Sequence, residues 1–211
     1  HGSKVLLEKE PNLLNCENLL ASSLVEVGQP EEAVKVFLRI LKNYDEYPST
    51  IYYNLSSAYK NLYKHKEAVF YARQYVNINP THVMGYLRLG ELYTELALSG
   101  ERRMSFFMAL GIDPENQVAL KGMSESFRTE SDSEGALKYL LKQTKTPRRD
   151  MNILEAYYYL GNKLKFNNML LELNKDEVLL PLIACLSTHS SIRFSQKDNY
   201  DFCPDPLNYI K

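Results

Sequence analysis

The sequence carries almost no excess charge: 25 Lys and Arg stand against 26 Asp and Glu, for a formal net charge of −1. That balance removes the bulk electrostatic argument for nucleic acid or an anionic membrane surface, since neither sign is free to steer association. Long hydrophobic runs are also missing. The longest, Val178 to Leu186, falls far short of the roughly 20 residues a membrane-spanning helix needs, so no membrane insertion is expected. Cysteine is scarce, with Cys16, Cys185 and Cys203 at irregular spacing, and an odd set of this kind defines no disulfide framework. No basic stretch leads into an apolar core near the start, so a cytoplasmic location is the default expectation, although a leader upstream of His1 would be invisible to this reading. His1-Gly2-Ser3 reads as the remnant of a cleaved tag.

The signatures of catalysis are absent as well. There is no glycine-rich phosphate loop and no Gly-x-Ser-x-Gly elbow. His65, His82 and His189 lie far apart, without metal-ligand spacing to cysteines or carboxylates. His189 and Cys185, four residues apart, make no metal site by themselves. The pairs Glu31-Glu32 and Asp45-Glu46 suit a helix start and a junction better than acid–base work. The basic run Lys138, Lys142, Lys145, Arg148 and Arg149 has no interleaved aromatics for base stacking and reads as a solvated helix end. The sequence therefore predicts no catalytic residue, no metal and no cofactor.

What is present is an ordinary globular mixture, 45% hydrophobic and 24% charged, and a clear internal period. Tyr52, Tyr86 and Leu120 are spaced by 34 residues. The same step links Leu55, Leu89 and Met123; Ser56, Gly90 and Ser124; and Tyr59, Tyr93 and Phe127. Pro80 and Pro114 share it, and Ala68 and Ala136 are two steps apart. One period upstream, after a one-residue slip, come Leu20, Ala21, Leu24 and Ala33.

These columns resemble the tetratricopeptide repeat, a helix–turn–helix family. The third copy quotes its pattern most fully, as Tyr86, Leu89, Gly90, Tyr93, Phe106, Ala109 and Pro114. The resemblance implies an all-α fold, a helix–turn–helix repeat solenoid with an irregular C-terminal extension. Small residues (Ala21, Ser56, Gly90, Ser124) are expected where paired helices approach closely. Leu20, Leu55, Leu89 and Met123 are expected to fill the space between repeats, and Cys16 to be a small core residue. Four repeats are assigned to residues 4–148. A degenerate fifth, with its first helix over Glu155 to Lys163, and a capping helix over Asp176 to Leu186 occupy 149–186. Arg102 replaces the small residue of a second helix, which predicts an altered loop over Leu98 to Arg103. Residues 187–211, whose stretch Asn199 to Tyr209 holds two prolines and three aromatics, read as an extended tail that folds back on the array or leads into a further domain.

In this family the first helices line a concave groove for extended peptides. The repeat register assigns to it Asn18 and Ser22, then Tyr53, Asn54 and Ser57, beside Thr50. It adds Met84, Leu87, Arg88 and Glu91, and then Lys121, Glu125 and Arg128, beside Val118. An Asn there suits a peptide backbone and an Arg suits a carboxylate. Relatives that hold chaperone C-termini use a five-residue carboxylate clamp. Asn54 and Arg88 match two of its positions, while Asn18, Ser22 and Met84 replace Lys, Asn and Lys. The expectation is a protein-interaction module, a non-catalytic scaffold that binds a protein or peptide and no nucleic acid. The alternative is the substrate-recruiting N-terminal region of a larger enzyme, such as a glycosyltransferase continuing past Lys211. Oligomeric state is not legible.

Overall fold

The computed structural model describes residues 11–173. The expected capping helix and the tail lie outside the described residues. Among the described residues there are ten α-helices and no strand. They are α1 (Pro11–Glu26), α2 (Pro30–Asn43), α3 (Thr50–Asn61), α4 (His65–Ile78), α5 (Val83–Glu95), α6 (Ser99–Ile112), α7 (Gln117–Thr129), α8 (Ser133–Leu140), α9 (Pro147–Tyr159) and α10 (Lys163–Leu173). The chain divides between Pro114 and Glu115 into two compact units. The first holds three helical hairpins (α1–α2, α3–α4, α5–α6) and the second holds two (α7–α8, α9–α10).

All five hairpins turn in the same way. The second residue after each first helix takes a left-handed conformation: Gly28 (φ 77°), Tyr63 (57°), Ala97 (56°), Ser131 (58°) and Gly161 (66°). The next backbone N–H then donates five residues back, from Gln29 to Leu24, Lys64 to Tyr59, Leu98 to Tyr93, Asp132 to Phe127 and Asn162 to Tyr157, at 2.8–3.0 Å. This is the Schellman ending, which satisfies carbonyls that a helix terminus would leave orphaned. Starts are equally local. Pro30 opens α2 with Glu31 and Glu32 in its first turn, where proline has no donor to lose and acids meet the positive helix end. Asn116, Asp132 and Thr146 accept from backbone N–H groups three residues on and cap α7, α8 and α9.

In the first unit, Phe37, Ile40, Ile51 and Leu55 are fully buried around the small residues Ala21, Ala33 and Ala58. Ala68, Ala72, Leu89, Leu92 and Tyr93 continue that packing between α4 and α5. Each buried Leu or Ile contributes about 1.5–3 kcal/mol by leaving water. The small positions are needed. A Cβ on Gly90 would stand 2.6 Å from Cε1 of Phe106, well inside van der Waals contact. In the second unit, Met151, Leu154, Phe166, Leu170 and Leu173 form the core of the last hairpin.

Four expectations need correction. Leu20 is 51% exposed although Leu55 and Leu89, one and two periods on, are buried; helices α2 and α4 cover those positions, and no described helix precedes α1. Cys16, on the same side of α1, is exposed rather than part of the core. Ser99 to Arg103 form the first turn of α6 rather than an altered loop, and Arg102 is half-buried there. The fifth hairpin starts at Pro147, so Gly161 is its left-handed turn residue and not the close-packed glycine of its first helix. The reason is the length of α8, which runs eight residues where α4 and α6 run fourteen, so the last period is shortened.

Candidate functional site: the polar face of the first helices

In the first unit, α1, α3 and α5 are tied to one another through polar side chains on one face. Asn54 Nδ2 on α3 donates to Ser22 Oγ on α1 at 3.1 Å, and Ser22 Oγ donates to the Asn18 carbonyl at 2.9 Å. Arg88 Nη2 on α5 donates to the Tyr53 hydroxyl on α3 at 3.0 Å. The same guanidinium carbon lies 4.9 Å from the centre of the Tyr53 ring, a cation–π arrangement that fixes its plane. Glu91 accepts from Lys60 Nζ at 2.9 Å and lies 3.5 Å from Arg88 Nη1. Ser57 Oγ turns inward to its own helix, donating to the Tyr53 carbonyl at 3.1 Å.

Lys60 was not read from the sequence as part of this face. It follows Tyr53 and Ser57 at the i, i+4, i+7 spacing of one helix side, a signal that periodicity contains. Its charge and that of Arg88 share one carboxylate, so this part of the face keeps one net positive charge. Beneath it, the Tyr53 and Tyr75 rings are 5.4 Å apart, and the Tyr75 phenol is held above its ordinary pKa by burial and then by Tyr53. Two polar atoms of the face are buried and make no hydrogen bond: the acceptor Asn18 Oδ1 and the donor Arg88 Nε. Such atoms cost free energy unless something meets them.

Met84 is exposed at the start of α5, and Leu87 is buried at 6% exposure. Leu87 is therefore a packing residue and not a groove residue. It lacks the length and hydroxyl with which Tyr53, one period earlier, reaches the surface.

The second unit carries the other three residues. Lys121 and Glu125 are 4.0 Å apart along α7, and Arg128 Nη2 reaches Glu155 Oε2 of α9 at 2.7 Å. Arg128, Asp132, Glu134, Asn152, Glu155 and Tyr159 help to line a cleft of about 710 Å³ within this unit. Of the basic run, Arg149 is used internally. Its guanidinium donates to the Leu140 and Leu141 carbonyls at 3.1 and 3.5 Å and to Asp150 at 2.7 Å, so it closes the end of α8. Lys138, Lys142, Lys145 and Arg148 are exposed.

Neither described histidine sits in a reactive set. His65 opens α4, and His82 precedes α5 with Nδ1 2.9 Å from the Tyr75 hydroxyl. Cys185, His189 and Cys203 lie outside the described residues. Among the described residues no group of three or more His, Cys, Asp or Glu is placed to hold a metal ion, and no helix is long and apolar enough to cross a membrane.

The tetratricopeptide-repeat family pattern matches residues 49–82, which span α3 and α4. Over 100 residues, 47% of this chain and 17% of the relative, the sequence is 29% identical to heat shock protein STI1 of Saccharomyces cerevisiae. Over 102 residues, 48% of this chain and 7% of the relative, it is 28% identical to a UDP-N-acetylglucosamine–peptide N-acetylglucosaminyltransferase of Giardia intestinalis. The chain thus spans only a small part of both curated relatives. Among solved structures, a Podospora anserina putative kinesin light chain with nearly identical TPR-like repeats superposes with a TM-score of 0.59 at 16% identity. That match covers 88% of this chain and all of the other, and it supports the fold.

Proposed function

Since this chain belongs to the tetratricopeptide-repeat family, we propose that the polar face of α1, α3 and α5 binds an extended protein segment and that the chain acts by binding alone, without catalysis. The observation that carries this reading is the polar network that crosses α1, α3 and α5 on one face, with Asn54 held to Ser22 and the Arg88 guanidinium held over Tyr53. An incoming peptide offers an amide N–H to an Asn side chain of this face and a carbonyl or carboxylate oxygen to the partly exposed Arg88 guanidinium. Tyr53 and Met84 beside them offer apolar contact. Lysines are missing at the clamp positions, and Glu91 shares the charge of Arg88, so the reading favours a segment with a single acidic or carbonyl contact. A polyanionic tail fits this face poorly.

The test is a random decapeptide array screened with the whole chain, followed by calorimetry on the best binder. Arg88→Ala is expected to weaken that peptide about 10–100-fold, the worth of one charge-assisted contact, with an unchanged circular dichroism spectrum. Equal affinity in the variant would move the site elsewhere.

A second reading, the recruiting region of a larger enzyme, is favoured by the match to the Giardia transferase. It is tested by whether the reading frame continues past Lys211 into a catalytic domain.

A further inference from the structure

One side of α7 and α9 carries opposite charges at its two ends. The cleft of about 710 Å³ lies at their C-terminal ends, where Asp132, Glu134 and Glu155 stand against the single cation Arg128. At their N-terminal ends a second cavity, of about 210 Å³, sets Lys121, Arg148 and Arg149 against the single acid Glu125. Asn152 lines both cavities, so they adjoin and form one groove. Some of these charges are taken up internally. Arg149 holds Asp150 and the Leu140 carbonyl, Asp132 caps α8, and Arg128 pairs with Glu155. Left towards solvent are Lys121 and Arg148 at one pole, and Glu134 with the half-exposed Glu155 at the other. The helix dipoles of α7 and α9 add to this polarity, with positive N-termini beside Lys121 and Arg148 and negative C-termini beside Glu155.

We propose that this groove is a second binding surface, for an extended segment of a partner protein that carries one acidic and one basic side chain about three residues apart. The proposal rests on the same family reading, that the chain binds extended segments, and places a separate contact in the second unit. Lys121 and Arg128 lie seven residues apart on α7, a span of about 10 Å. An extended chain covers that distance in about three residues. The acid of the segment meets Lys121 and Arg148. Its base meets Glu155 and Glu134, with its aliphatic stem on Tyr159 and Leu160, which are 57% and 45% exposed beside the acidic pole. Between the poles, the Asn152 amide offers one donor side and one acceptor to a peptide unit. A purely acidic segment is repelled at one pole and a purely basic one at the other, so the groove selects for mixed charge in a fixed register.

The test titrates the whole, isotope-labelled chain with alanine–serine decapeptides that carry one glutamate and one arginine at varied separation and in both orders. Amide shifts are read at about 50 mM salt, where exposed charges are little screened. Peptides with the two charges three or four residues apart are expected to bind at least about fivefold more tightly than those with adjacent charges or two glutamates. The shifts are expected on α7 and α9. Lys121→Gln and Glu155→Gln are each expected to weaken the preferred peptide about threefold. Lys121 is 4.0 Å from Glu125, so its variant keeps the test decisive even if Glu155→Gln disturbs the Arg128 contact. Arg88→Ala is expected to leave this peptide unaffected, which separates the result from the face of α1, α3 and α5. Equal affinity at every separation, equal binding of two glutamates, or no shift at about 2 mM peptide overturns the proposal. So do shifts confined to α1, α3 and α5. Free-protein spectra in which α7 and α9 contact residues 174–211, or shift with protein concentration, also overturn it, because the groove then belongs to the chain itself or to a second copy.

Discussion

Gly90 offers the sharpest test of the packing scheme. It lies on α5 with its Cα against the buried ring of Phe106 on α6, and an added Cβ would stand 2.6, 2.7 and 2.9 Å from three ring carbons. Ordinary carbon contacts lie at about 3.5–4.0 Å, so the ring or the helix must move. Phe106 is only 5% exposed, and overpacking against such a buried ring costs about 1–3 kcal/mol. Against it stands the gain of about 1 kcal/mol from replacing glycine by alanine inside a helix. Gly90→Ala is therefore expected to destabilise by about 1 kcal/mol. In a Phe106→Leu background the obstacle is gone, and the same substitution is expected to stabilise by about 1 kcal/mol. The coupling in the double-mutant cycle is then about 2 kcal/mol. Hydrogen exchange at the α5 and α6 amides reads it locally, which suits a repeat array in which neighbouring units open separately. Gly100→Ala serves as the control: with open space around its Cβ, it should stabilise α6 by up to about 1 kcal/mol. A Gly90→Ala variant more stable than its parent in both backgrounds, with coupling under about 0.5 kcal/mol, would refute the claim that ring and glycine are fitted to each other.

Two further outcomes follow from the same structure. Ser56 is fully buried and its Oγ makes no hydrogen bond, at the position where Ala21 stands one period earlier. Ser56→Ala is expected to raise stability by about 1 kcal/mol in urea unfolding, because a desolvated hydroxyl is removed without leaving a cavity; a loss of stability would mean that the hydroxyl is satisfied. The Tyr52 phenol is pushed up to about 12 by its hydrogen bond to Tyr47 and by burial. Its folded pKa lies above the 10.0 of a free phenol, so its contribution to stability is whole below pH 10 and is lost as the pH rises towards 12. A titration at 295 nm should show a late-ionising phenol, and Tyr47→Phe should bring it back towards 10; no change in that variant would remove the hydrogen bond as the cause.

The sequence by itself determined the hairpin and its period. Size is a local property, and the alternation of small residues (Ala21, Ser56, Gly90, Ser124) with large ones 34 residues apart leaves few ways to pack two helices. The helix start at Pro30 is similarly local. The turns were not legible in this way. Only Gly28 and Gly161 advertise a left-handed conformation, while Tyr63, Ala97 and Ser131 adopt it against their own preference, because the following helix must pack back on the one before.

The candidate site divides along the same line. Periodicity places Asn54 and Arg88 on one side of their helices, but only the packed hairpins bring Asn54 to Ser22 and Arg88 to Tyr53. The same packing left Leu87 inside and Met84 outside. Side-chain length and the position of the neighbouring helix decided that, and neither is written in a spacing. The outward face of α6 is the clearest case. Met104, Phe107, Met108 and Ile112 are apolar side chains that the tertiary structure leaves exposed, because the repeat register of their own helix points them away from the helices packed against it.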